Sequence, residues 1–452
     1  MAVAAFTAEE NPAEHRDIVV RLDRSCAIRA AGARGNDRGA FWNPRNADVQ
    51  EAANNKSKQE KGRYGHTLTV AQAAQRLNYG EVQGCRMAKL PCGKTRFKKR
   101  KGESGIVEEE LMNWLEQRIR RYEHRRWTTD DNRRVRPFEW GLEHIGGRSD
   151  EADPAAFLLD YSHSAVENSR VWYEVAPADD YRLDSQNVLT FSSSLESPWP
   201  ENNIVHAQLF PAKSKKAAVL VLPNWNAKWH GQRGLCEWIQ RTGITALKMS
   251  LPYHDRRMAK GHERADQLVG SNIGLTLQAN RQAVQDAKRC LRWLEQQGYS
   301  RIGILGTSIG SSVGYITLMH DASVHAGGFF HVSTYFADVV SQGMTTNHVW
   351  EGLREHVTVD ELRQYWAPIS PMPFVERGMG ANRNSFMVYG KYDPTFLPEL
   401  TTEMLEALHE HGASPKALEL ACGHYSLELA PFSYVAGYRM LTYLRSALAK
   451  TR

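Results

Sequence analysis

Residues 301–316 read RIGILGTSIGSSVGYI. The apolar run 302–305 ends in Gly306-Thr307-Ser308-Ile309-Gly310, after which small and apolar residues resume. A buried strand gains nothing from a serine set between two glycines. A tight strand-to-helix turn needs all three. It forces its central residue into strained backbone and brings neighbouring chain close, so glycines replace residues whose Cβ would clash. Such a turn holds Ser308 Oγ in the open. It also aims the backbone N–H of Ile309 at an oxyanion developing beside it, at the positive end of the following helix. The spacing therefore marks Ser308 as a candidate nucleophile. The alternative is a serine in an ordinary strand–helix loop. Ser311 and Ser312 fall inside the predicted helix, where they are not exposed as nucleophiles.

The surrounding pattern predicts what carries this turn. AAVLVLPNW and ITALKMSLPY are continuous apolar runs with flanking turn residues, the signature of strands buried on both faces. RIGILG, AGGFFHVS, SFMVYG and KALELA repeat that texture, and VWYEVAP, NVLTF and NIVHAQLFP read as shorter strands. Between Gly274 and Gly298, Leu277, Val284, Ala287, Leu291 and Leu294 recur at helical steps, and Gly298 closes the helix. Strand alternating with helix implies an α/β fold with a mostly parallel sheet covered on both faces.

In such sheets chemistry gathers at the carboxyl ends of strands. A serine hydroxyl also needs a base. SFMVYGKYDPTF puts Asp393 just past a strand end, and ALELACGHYSLE puts His424 past the next one. The order Ser308, Asp393, His424 is the one this architecture requires of nucleophile, acid and base. The plainer readings are an Asp-Pro turn and a surface histidine. Asp338 is the alternative acid. His254 and Asp255, in LPYHDRRM, also follow a strand. Their expected role is to fix that loop, with Arg256 and Arg257 solvated or salt-bridged.

On these residues the chain resembles the α/β-hydrolase superfamily over roughly residues 170–450. PNWNAKWHGQRG, LGTSIGSSVG and W-x-x-L-R look most like its abhydrolase-domain group and, more distantly, dienelactone-hydrolase-like serine hydrolases. The resemblance implies an eight-stranded sheet with its second strand antiparallel, a Ser-His-Asp triad and no cofactor. It also implies a second oxyanion donor in the loop Pro223-Asn224-Trp225-Asn226, with the Trp225 N–H first and Asn226 next. Residues 338–384 form an insertion between two strands, with Trp350, Leu353, Tyr365 and Trp366. In this architecture it is expected to cap the site, or else to pack as a helical element with its own core.

Bulk properties bound the rest. The chain has 452 residues, 42% hydrophobic and 24% charged, and no apolar run of membrane-spanning length. No secretion signal is recognisable. Six scattered cysteines without a C-x-x-C pair fit a reducing cytoplasm and argue against a zinc site or a disulfide framework. No phosphate cradle or paired-histidine metal spacing is seen. Residues 1–150 carry 29 Lys and Arg against 21 Asp and Glu, a net +8, while the whole chain carries +6.

The predicted organisation is a disordered extension over 1–61, a small basic helical module over 62–124, and an α/β-hydrolase domain over 125–452. The module resembles excisionase-type winged helix-turn-helix units through Leu68-Thr69-Val70, Ala73-Ala74 and Leu90-Pro91, then a Glu-rich helix start ending in Trp114-Leu115. Lys94, Arg96, Lys98, Lys99, Arg100 and Lys101 could neutralise phosphates. The leading expectation is a cytoplasmic serine hydrolase acting on a small-molecule ester, thioester or related acyl substrate. The alternatives are a DNA-binding regulator whose hydrolase fold senses a ligand, and a catalytically silent scaffold.

Overall fold

Strands form where β-branched and other apolar residues run unbroken, and they stop where glycine, proline or a polar turn follows. The computed structural model describes residues 104–449, and nine strands lie within them. They are β1 (Arg182–Leu183), β2 (Val188–Ser192), β3 (Ile204–Phe210), β4 (Ala217–Leu222), β5 (Thr245–Met249), β6 (Arg301–Thr307), β7 (Val324–Phe330), β8 (Ser385–Gly390) and β9 (Lys416–Leu420). They make one sheet in the order β1-β2-β3-β5-β4-β6-β7-β8-β9. β3 is antiparallel to both neighbours, and every pairing from β5 to β9 is parallel. This is the α/β-hydrolase sheet, with its second strand reversed. The two-residue β1 adds a ninth strand at the edge beyond the eight expected.

The chain divides between Leu115 and Glu116. Everything below concerns the second unit. The basic segment and first helix of the DNA-binding reading, and the extension over 1–61, lie outside the described residues. Helix α1 (Ser104–Thr128) leads into the second unit. Helices α2 (Arg233–Arg241), α3 (Ile273–Gln296), α4 (Ile309–His320) and α5 (Phe432–Ala449) cover the sheet. The α3 helix matches the period read from its sequence. Gly298 just beyond it takes φ +88°, a conformation that favours glycine. No described helix is long and apolar enough to cross a membrane.

One reading is corrected. VWYEVAP is not a strand: its first two residues end a short helix, Ser169–Trp172. Tyr173 turns fully into the core, where its hydroxyl donates to the Pro368 carbonyl at 2.6 Å. Tyr173 and the half-buried Trp172 serve packing, not a ladder, while Val171 is exposed. Within 338–384, Tyr365 and Trp366 are buried core residues, and Trp366 Nε1 donates to the Ile273 carbonyl on α3. These two rings pack the insertion onto the body of the fold.

Arg257 is a buried cation in the loop after β5. Its Nη2 pairs with Asp286 Oδ2 on α3 at 2.8 Å, and both side chains are fully sealed from solvent. Its other donors reach the carbonyls of Asn202 and Ser250. Breaking a buried pair leaves an uncompensated charge. Asp286→Ala is expected to lower the unfolding free energy by about 3–5 kcal/mol, read by denaturant titration; a loss below about 1 kcal/mol would mean the pair is not sealed.

Candidate functional site

At the end of β6 the turn has the geometry its glycines suggested. Ser308 has φ +56° and ψ −125°, a backbone that costs about 1–3 kcal/mol in a residue with a Cβ. A Cβ on Gly306 would stand 2.3 Å from the Gly310 carbonyl oxygen. One on Gly310 would stand 2.3 Å from the Leu222 carbonyl oxygen and 2.5 Å from that of Pro223. The second contact matters most, because it lets the turn press against the end of β4, where the Trp225 loop begins. The Ser308 N–H donates to the Phe330 carbonyl at 2.8 Å. Ser311 Oγ, fully buried, reaches both the Ser308 and His331 carbonyls at 2.6 Å. The turn is thereby tied to the end of β7.

The Asp393 and His424 of the sequence come together. His424 Nδ1 lies 3.0 Å from Asp393 Oδ2. Asp393 is 2% exposed, and its Oδ1 accepts from the Thr395 and Phe396 amides at 2.8 and 2.9 Å. Burial opposes its ionisation, but the two imidazoles beside it outweigh burial and hold the carboxyl well below the usual range. Burial likewise pushes the His424 imidazole down. The Asp393 charge and hydrogen bond, helped by Glu123, outweigh that and leave its pKa above the ordinary value. The Phe396 ring stacks on His424 at 5.5 Å and 10°. Asp338, the alternative acid, is instead held by Arg363 at 2.8 Å.

Two participants were missed. His331 follows β7 and places its Nδ1 2.7 Å from the same Asp393 Oδ2, with its ring 4.5 Å from that of His424. The approach is short but lacks the alignment of a full hydrogen bond. Burial and then the His424 charge hold its pKa down against the pull of Asp393. The two rings therefore differ: His331 is kept neutral and sealed, while His424 gains affinity for a proton. Among the described residues these three side chains are the group close enough to hold a metal ion. Zinc needs its ligands about 2.0–2.2 Å from one centre. Here both nitrogens approach one carboxylate oxygen, at 2.7 and 3.0 Å. Sequence had a signal for His331, a lone histidine at the polar end of an apolar run.

Glu123, on α1, is the other. It is 1% exposed and accepts from the Tyr425 and Ser426 amides at 2.9 and 2.8 Å. A Cβ on Gly423 would collide with its carboxylate at 2.5 Å. The loop bearing His424 is therefore moulded on a side chain some 300 residues earlier in the chain, and no local pattern announces it.

On the β4 side, His254 Nε2 accepts from the Asn226 N–H at 2.8 Å, while His254 Nδ1 faces the Pro252 carbonyl. Burial first, with nearby cations, pushes the His254 pKa down to about 4, so it stays a neutral acceptor. The Asn226 amide is thus engaged, which leaves Trp225 of the two amides expected to meet an oxyanion. Asn226 Oδ1 and Trp225 Nε1 grip Ala265, at 2.8 and 3.0 Å. His254 does fix this loop, as its position suggested.

No protein-family model matches the chain, and no curated protein does. Solved structures do resemble it. An acylaminoacyl peptidase of Pyrococcus horikoshii aligns with TM-score 0.46 and 13% identity, over 63% of this chain and 44% of that one. An acetyl xylan esterase of Thermoanaerobacterium aligns with TM-score 0.46 and 14% identity, over 63% of this chain and 93% of that one. An esterase of Pyrococcus furiosus gives 0.43, 14%, 60% and 92%. This chain thus spans under half of the peptidase. The fold assignment rests on strand order and the turn at Ser308.

Replacing Glu123 by alanine leaves two buried amides without acceptors, each worth about 1–3 kcal/mol. Glu123→Ala is expected to destabilise the protein by at least about 2 kcal/mol in denaturant titration. A neutral result would mean that the His424 loop holds its shape unaided.

Proposed function

We propose that the protein is a serine hydrolase that cleaves a carboxylic ester, thioester or related acyl bond of a small molecule. The observation that carries this reading is the His424–Asp393 hydrogen bond at the same sheet edge as the strained Ser308 turn. Ser308 Oγ attacks the carbonyl carbon as His424 Nε2 takes its proton. The negative charge on the carbonyl oxygen is met by the backbone N–H groups of Ile309 and Trp225. His424 returns the proton to the departing alcohol or thiol, leaving an acyl-enzyme. Water, deprotonated by the same imidazole, then releases the acid and restores Ser308. Asp393 fixes the His424 tautomer and stabilises its cation. His331 acts on Asp393 alone, holding the carboxylate toward His424.

Ser308→Ala is expected to lower turnover of a p-nitrophenyl ester by a factor on the order of 10⁴ or more. Activity equal to wild type would refute the assignment.

The base must be neutral to accept a proton, and His424 binds protons more tightly than an ordinary histidine. The account therefore expects kcat/KM to rise with pH through an apparent pKa above about 6.5. Asp393→Asn removes the charge that raises it, so that pKa falls while the rate drops roughly 10⁴-fold. A pH–rate profile on both proteins decides the point. An unshifted pKa would dissociate Asp393 from the base.

A further inference from the structure

Two arginines, Arg264 buried and Arg133 partly so, lie near the loops that carry the proposed chemistry. The Arg264 guanidinium lies over the Trp225 ring, 4.7 Å from its centroid. Arg133 Nη2 donates to the hydroxyl of Tyr425, next to His424, at 3.4 Å. Arg264 is 6% exposed and the Arg133 side chain 10%. Two guanidinium groups in one sealed place repel each other. Burial first, and then the Arg133 charge, pull the Arg264 pKa down.

The counter-charges are incomplete. Arg133 pairs at 3.2 Å with Asp130, whose side chain is half in water. Asp266 Oδ1 stands 3.6 Å from Arg264 Nε, beyond hydrogen-bonding reach, while its Oδ2 is taken by Arg136. Nε of Arg133 and Nε of Arg264 are buried with no acceptor. Both ring nitrogens of His348, which stacks on Trp225 at 5.8 Å and 12°, are buried and unpartnered as well. Burial and the surrounding arginines push its pKa down to about 3, so one of those nitrogens is a neutral donor. An unmet buried donor costs about 1–3 kcal/mol, and more when charged. Donors left open around the Trp225 ring suit a group that arrives with the substrate.

We infer that Arg133, Arg264 and His348 form an anion subsite, so the preferred substrate is an acyl ester bearing a second, anionic group such as a carboxylate or phosphate. This rests on the hydrolase reading and narrows it. Arg133 Nη1 already donates to the Trp127 and Asp130 carbonyls and Arg264 Nη1 to Asn132 Oδ1, so the open Nε–H groups and the His348 donor are the ones that meet the oxygens of such a group. The group's charge also relieves the repulsion between the two guanidiniums. Held beside Trp225, it orients the ester carbonyl toward the amide at that position.

The test compares monoethyl succinate, glutarate and adipate, and ethyl 4-phosphonobutyrate, with neutral ethyl esters of equal chain length. Wild type is expected to favour at least one charged member by tenfold or more in kcat/KM. The ranking of carboxylate against phosphonate identifies the oxyanion. Arg133→Gln and Arg264→Lys are expected to reduce the charged-to-neutral ratio at least tenfold, whatever their absolute rates. Equal kcat/KM for charged and neutral esters at every length overturns the subsite, and this reading of wild type needs no variant to fold. Calorimetric titration of the Ser308→Ala protein with monoethyl glutarate and ethyl valerate separates the two readings. Tighter binding of the charged ester without wild-type turnover keeps the subsite and removes the hydrolase. Turnover without any charge preference does the reverse.

Discussion

A carboxylate sealed from water persists as an anion only where donors meet its oxygens. Asp393 is such a group. Two backbone amides reach one oxygen and two imidazoles face the other. Those groups come from three places: the turn after β8, the end of β7 and the loop after β9. The buried charge thus fixes the relative placement of three strand ends, and the Ser308 turn is laced to the second of them through Ser311. Remove the charge and the two histidines lose their common partner, and with it the reason for their different proton affinities.

A second constraint acts on the other flank. Gly310 has no room for a methyl group beside the Leu222 and Pro223 carbonyls, so the Ser308 turn packs closely against the start of the Trp225 loop. That loop is held by neutral His254, by Ala265, and by Arg264 and His348, which both pack against the Trp225 ring. The rim of the sheet is therefore held by close backbone packing at Gly310 and by this set of polar and ring contacts. An oxyanion site needs this, because its donors must already stand where charge will develop.

Much of the architecture could be read in the residues. Continuous apolar runs ending in glycine or polar turns gave the buried strands, and the three- and four-residue recurrence gave α3. The positions of Ser308, Asp393 and His424 followed from counting strand ends. What stayed hidden has physical causes. AGGFFHVS reads as one strand because period and polarity do not say where hydrogen bonding stops. β7 in fact ends at Phe330 and releases His331 toward Asp393. Glu123 acts across some 300 residues, and Arg133 and Arg264 meet only in the folded chain. Tertiary partners of this kind leave no local spacing. VWYEVAP failed for the opposite reason: its β-prone composition was recruited for core packing by Tyr173 and its bond to Pro368.

The central claim is convergence: the hydroxyl at 308, the imidazole at 424 and the amides at 309 and 225 serve one reacting centre. A crystal structure of the protein after reaction with a fluorophosphonate tests it most directly. The account predicts a phosphonyl group on Ser308 Oγ, its phosphoryl oxygen within about 3.1 Å of the Ile309 and Trp225 nitrogens, and His424 Nε2 facing the serine oxygen. An unmodified Ser308, or a phosphoryl oxygen turned away from both amides, would contradict it.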